Sequence, residues 1–389
     1  MVFLTSWFFI FLVVALSAFW VVPRKLRRYC LLAFSFVFHG HFAGTAGVIP
    51  ILVLGNLAFV AGLTVRYPRL NKIATWSTIA LVVSSLLYFK YVYFLADLIG
   101  FSYQGEIFVP LAISFFTFEF VHYLVDVRKT KAPISNLFDF WIFTVFFPTI
   151  ASGPIKRYQN FIPQLNRIDG FKLDPETALI AFYRIITGLF KKMIIAEWCV
   201  SELAKIEIWI GDAALPRIYL VGLVLLQTTR IYMDFSGYSD MAIGVSRLFG
   251  ITVPENFNWP YLAGSLSDFW KRWHISLSSW IRDYVYIPLG GSRMSLVRKT
   301  ANGLTAMILC GLWHGPSLHF AVWGIYHGVG LAFQNPIKRM TLILIPEETW
   351  LFKTAAWFFT LGFVMLGWLI FFYEWRDLKW ILKHFLFLA

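Results

Sequence analysis

The sequence predicts an all-α, polytopic integral membrane protein, and three observations predict it. Of its 389 residues, 59% are hydrophobic and 14% charged, whereas a soluble domain carries about a quarter charged residues. Mean hydropathy is +0.67. Apolar runs also recur along the whole chain, several approaching the roughly 20 residues that cross a bilayer, and residues 1–23 hold no charge.

The first run, 3–22, lacks a basic leader and an A-x-A-like cleavage site, so it is expected to remain as a span. Further runs are expected at 30–46, 47–65, 74–97, 109–126, 137–151, 177–196, 214–233, 301–315, 317–334 and 354–373. Those at 30–46 and 137–151 are short, hence tilted or re-entrant, which is tolerated only where protein or water surrounds the backbone. Connections are short throughout, so residues 1–389 are expected to form a single domain. Residues 375–389 mix Arg376, Asp377, Lys379 and Lys383 with apolar positions at helical spacing, the pattern of an interfacial amphipathic helix.

In a soluble protein the +13 net charge would point to nucleic acid; here it arises mostly from clusters between spans. Arg24–Arg28, Arg66–Lys72 and Arg128–Lys131 are expected on the cytoplasmic side by the positive-inside rule, with the N-terminus outside. Cys30, Cys199 and Cys310 are scattered and suggest neither disulfides nor a metal site. No internal repeat is visible, which argues against a secondary transporter. H-E-x-x-H, G-x-S-x-G, Walker and dinucleotide motifs are absent, so neither a metal, a serine nucleophile nor a bound nucleotide is expected.

Three stretches hold the residues with chemistry. In "DFWKRWHISLSSW" (268–280), a helix would align Trp270, His274, Leu277 and Ile281 on one face. Its tryptophans and basic residues suit a membrane interface. His274, an ionisable group among apolar neighbours, is a candidate functional residue. In "CGLWHGPSLHF", His314 is flanked by Gly311 and Gly315, and Pro316 interrupts the helix. A desolvated imidazole there stays neutral and suits a general base. His327 lies in "WGIYHG", where Gly324 and Gly328 indicate close helix packing. In "IYMDFSGYSDMAIG" (231–244), Asp234 and Asp240 flank Ser236, Gly237 and Ser239. That reads as a helix break with a new cap at Ser239 or Asp240, as a polar lining of a substrate path, or as both. "PENFN" (254–258) is expected to form a polar turn, with Asn256 a further candidate for binding substrate or donor.

These motifs together resemble the membrane-bound O-acyltransferase family, in its bacterial alginate O-acetylation branch. The resemblance is carried, in order, by "FFPTIASGPIKRYQNF" (146–161), "GLFKK" (188–192), "MDFSGYSDMAIG" (233–244), "PENFNWPY" (254–261), "DFWKRWHISLSSWIRDYVYIPLGGSR" (268–293), "GLWHG" (311–315) and "WGIYHG" (323–328). It implies a bundle of tilted and re-entrant helices around a funnel or tunnel, in the bacterial cytoplasmic membrane. It also implies a catalytic histidine at His314, with His274 as the second characteristic histidine. The donor would be an acyl thioester, acetyl coenzyme A or a charged acyl carrier protein, with no resident cofactor. The acceptor would be a polysaccharide hydroxyl, reached directly or through an extracytoplasmic transferase partner. Lys271, Arg272 and Arg282 are candidates for a basic donor entrance. Alginate-type members continue through further helices after the segment matching "LGW" (366–368). In its compactness the sequence is similar instead to the membrane protein of teichoic-acid D-alanylation, so D-alanyl transfer from a carrier protein is the alternative within the family. Outside it, the alternatives are a proton-coupled transporter or flippase and a non-catalytic export scaffold.

Overall fold

The computed structural model describes residues 2–101, 103–212, 214–344 and 346–385, and no strand occurs among them. The chain forms two compact units, residues 1–187 with 238–254 and residues 188–237 with 255–389. Three helical stretches, 24–66, 68–98 and 350–372, are long and apolar enough to cross a membrane.

The first unit starts with α1 (Ser6–Val21), capped by Thr5, whose hydroxyl accepts from the Phe8 N–H at 3.1 Å. α2 (Arg27–Leu63) holds the runs expected separately at 30–46 and 47–65 as two helical segments joined at a kink. It kinks at Gly44, whose φ of 61° is open to glycine and strained for other residues. Two members of the first basic cluster are engaged within the fold. Arg27 is buried, donates to the Phe171 carbonyl at 2.7 Å and lies over the Trp20 ring, while Arg28 pairs with Asp139 and Asp169.

α3 (Pro68–Leu86) opens on a proline, which needs no N–H partner at that position. α4 (Val92–Leu98) and α5 (Ile113–Thr130) follow. The short run at 137–151 is helical only as α6 (Leu137–Val145), started by the Asn136 side chain, and continues as turns. α7 (Tyr158–Leu165) and α8 (Pro175–Leu189) come next. Lys156, in the "SGPIKR" motif, is buried in a short ion pair with Glu119 of α5, its ammonium 5.0 Å from the Phe143 ring centre.

After α9 (Glu197–Glu207) comes α10 (Arg217–Leu248), a correction, since the break expected inside 231–244 is absent. Gly237 lies inside that stretch. Its bare Cα admits a close neighbour: a Cβ there would lie 2.8 Å from the Gly188 carbonyl oxygen.

The second unit continues through α11 (Leu266–Arg272), α12 (Ile275–Ile281), α13 (Leu296–His314), α14 (Leu318–Leu344), α15 (Trp350–Phe372) and α16 (Trp375–Phe385). α13 and α14 form a tight hairpin, and the close packing expected at Gly324 is observed. A Cβ there would come within 2.3 Å of the Met307 carbonyl oxygen. α16 is amphipathic as expected, but its apolar positions pack on protein. Leu378 and Ile381 share a core with Leu203 and Ile206 of α9, Leu220 and Leu223 of α10, and Leu369 of α15. His384, given no role from the sequence, bonds the Leu215 carbonyl at 2.8 Å. Residues 386–389, the end of that expected helix, lie outside the described residues.

Candidate functional site

The site is built from two breaks in helical backbone, both within the second unit. The first corrects the expectation of one continuous helix over 268–280. α11 ends at Arg272, Trp273 is extended, and His274 stands at φ 42° and ψ 54° before α12 begins. The face shared by Trp270, His274 and Leu277 therefore does not exist. A left-handed conformation is unfavourable for a residue with a Cβ, so tertiary contacts must hold it. They come from "PENFN". Asn258 N–H donates to the Arg272 carbonyl at 3.0 Å, and Ile275 N–H to the Asn256 carbonyl at 2.9 Å. The fully buried Asn256 side chain accepts from the Ser276 hydroxyl at 2.6 Å and the Ser276 N–H at 3.3 Å. Asn258 thus holds the chain before His274 and Asn256 braces the start of α12 after it.

The second break is the end of α13. His314 is its last residue, and Gly315, at φ −175°, leads into the exposed Pro316. The break leaves the His314 ring half-buried. It sits among four aromatic rings, with centroid distances of 4.7 Å to Trp313, 4.9 Å to Phe371, 5.5 Å to Trp323 and 6.2 Å to Phe320.

His274 is only 1% exposed, with Phe235 at 4.6 Å and Trp313 at 5.8 Å. The Trp313 indole is thus a ring neighbour of both imidazoles. Both ring nitrogens of His274 are buried without a protein hydrogen-bond partner. His274 lies at a helix joint outside the three stretches that are long and apolar enough to cross a membrane. Burial, and after it the His314 imidazole, lower its pKa well below the ordinary imidazole range and favour the neutral ring.

The remaining expected site residues divide in two. Lys271 is exposed one residue before Arg272, which is held by Asp268 at 2.9 Å. Arg282 is exposed and paired with Asp283 at 2.8 Å. Asp234, next to Phe235, forms a 2.6 Å ion pair with Lys192 of "GLFKK", and Lys192 also reaches Glu197 at 3.0 Å. Asp240 belongs to the first unit, where it pairs with Arg184 at 3.1 Å. So the structure brings together His274, His314 and the bracing Asn256, while the charged candidates are each matched locally or stand at the surface. The sequence reading missed Trp313 as the ring neighbour that the two histidines share. Its place immediately before His314, in a stretch already singled out, was the available signal.

A helical membrane protein that holds an accessible imidazole against a buried, neutral one has the equipment of a general acid–base enzyme. Residues 73–373 match the family model of the membrane-bound O-acyltransferases. The chain is 32% identical to a probable alginate O-acetylase of Azotobacter vinelandii, over 96% of this chain and 75% of that protein. It is 31% identical to a peptidoglycan O-acetyltransferase of Helicobacter pylori, over 76% and 61% of the two chains. With a teichoic acid D-alanyltransferase of Streptococcus thermophilus the figures are 30%, 67% and 68%. The chain belongs to the membrane-bound O-acyltransferase family and is an integral membrane O-acyltransferase.

Proposed function

We propose that the chain transfers an acetyl group, in the bacterial cytoplasmic membrane, from a cytoplasmic thioester to a hydroxyl of a cell-surface polysaccharide, directly or through an extracytoplasmic partner. Acetyl coenzyme A or a charged acyl carrier protein is the donor class. The observation that carries this reading is the half-open His314 imidazole, one indole away from the buried His274. The relatives named for O-acetylation favour acetyl as the group transferred.

His314 takes the proton of the acceptor hydroxyl as its oxygen bonds to the thioester carbonyl carbon. Collapse of the tetrahedral intermediate breaks the C–S bond, and the imidazolium returns the proton to the leaving thiolate. His274, buried and neutral, stays uncharged and supports the ring pair. Lys271 and Arg282, exposed cations, offer contacts for the phosphates of a donor.

The test is transfer of labelled acetyl from acetyl coenzyme A in membranes bearing wild type or His314→Ala. A histidine base contributes about 10²–10⁴-fold, so the variant is expected to lose transfer by at least about 10²-fold; equal transfer would refute the role of His314. The relative named as a teichoic acid D-alanyltransferase supports a second reading, D-alanyl transfer from a carrier protein. Labelled D-alanine on such a carrier, offered to the same membranes, separates the two.

A further inference from the structure

Close to His314 the second unit holds a third imidazole that the proposed reaction does not use. His327, on α14, is fully buried. Its ring lies 4.8 Å from Trp323, 5.2 Å from Trp270 and 5.6 Å from Phe363. Trp270 and Trp323 are themselves 5.7 Å apart, so these two indoles and the imidazole close a triangle. The same Trp323 indole meets His314 at 5.5 Å, nearly perpendicular at 86°. Nε2 of His327 faces α15 at Gly367, where a Cβ would lie 2.9 Å from it.

The triangle is made of apolar rings and carries polar atoms with no use inside the protein. Nδ1 and Nε2 of His327, Nε1 of Trp270 and Nε1 of Trp323 are all buried, and no protein group bonds them. Leaving one such group unsatisfied costs about 1–3 kcal/mol, whereas an apolar group of the same shape would cost nothing of the kind. A neutral imidazole offers one donor and one acceptor, and each indole one donor. Together they match a small molecule that both donates and accepts, and buried waters typically make about three such bonds.

We propose that His327 is a positioning residue: with Trp270 and Trp323 it binds an ordered water, and the bonds to that water fix the Trp323 indole against the His314 imidazole. His327 acts through Trp323 and touches none of the reacting groups. The kinetic half of its test rests on the acyl-transfer reading; the other half is independent of it.

His327→Phe keeps a planar ring, somewhat larger than imidazole, and removes both polar atoms, while His327→Gln keeps a donor and an acceptor. If His327 only packs, the phenylalanine variant is as stable and as active as wild type. The proposal also expects an unfolding midpoint no lower than wild type, and differs in the activity of the phenylalanine variant. Its kcat for acyl transfer should fall at least about tenfold, with KM for the donor unchanged. His327→Gln should recover part of that loss. The second readout needs no substrate: the rate at which diethylpyrocarbonate modifies His314, followed by mass spectrometry, should change in the phenylalanine variant and move back toward wild type in His327→Gln. An unchanged His314 rate in His327→Phe overturns the positioning role, as does a loss of kcat that tracks a lowered midpoint. A changed rate in a protein whose wild type transfers no acyl group would sink the acyl-transfer reading and uphold the positioning role.

Discussion

Two buried polar centres, one in each unit, differ in how their polar atoms are satisfied. In the first, Glu119 and Lys156 face one another as opposite charges, and the aromatic rings around the ammonium complete its surroundings. In the second, His274 and His327 are equally buried, yet their ring nitrogens find no partner in the protein. A centre whose opposite charges are spent on each other supports architecture. One with unused hydrogen-bonding capacity, next to the half-open His314, can still bind something else. The difference separates polar groups that hold the fold from those available to chemistry, although burial alone makes them look alike.

Breaking the paired centre should give the largest effect on stability. Removing one member of a buried ion pair costs about 3–5 kcal/mol, because the other charge is left without compensation. Lys156→Met is therefore expected to lower the unfolding midpoint severely, and the double change Lys156→Met with Glu119→Leu to recover most of it. If the single and double variants unfold alike, Glu119 and Lys156 do not depend on one another and the contrast fails.

Asn256 tests the other centre with a smaller effect. Asn256→Ala takes the acceptor from both the Ser276 hydroxyl and its N–H, at about 1–3 kcal/mol. It also frees the joint that holds His274. Thermal unfolding and transfer kinetics together should show a modest loss of stability and a fall in kcat with KM for the donor preserved. Wild-type kcat in this variant would mean that the placement of His274 is irrelevant to turnover.

The smallest effect concerns pH. Native His274 resists protonation, whereas in the unfolded chain the same imidazole titrates normally. As pH falls through the ordinary imidazole range, the unfolded state binds the extra proton and stability falls with pH. His274→Asn should flatten the acid side of the stability profile, measured as unfolding midpoint between about pH 7 and pH 5, the range in which an unperturbed histidine changes charge. An identical slope in both proteins would show that His274 contributes nothing to it.

Much of this was legible in the sequence, and what was not has a common cause. The helical membrane character followed from composition, and the hairpin packing at Gly324 from a local G-x-x-x-G pattern. His274 and His314 stood out as ionisable groups in apolar surroundings. The errors arose where distant segments decide local geometry. Helical spacing over 268–280 gave no hint of the break at His274, because Asn256 and Asn258 impose it from outside that stretch. Gly237 reads as a helix breaker until the Gly188 carbonyl is seen against its Cα. Asp234 and Asp240, six residues apart in sequence, suggested one polar path; each instead holds its own cation.

The left-handed backbone at His274 also limits which residues that position can hold. Glycine adopts such angles freely and asparagine tolerates them, while alanine and branched residues do so only under strain. Alanine keeps the Cβ that histidine already carries at this position, so the alanine variant measures loss of the ring alone. Glycine removes the ring and relieves the backbone strain together, and the gap between the glycine and alanine variants measures the strain that the surrounding loop holds in place. Drift at this site is confined to a handful of amino acids even before chemistry selects among them.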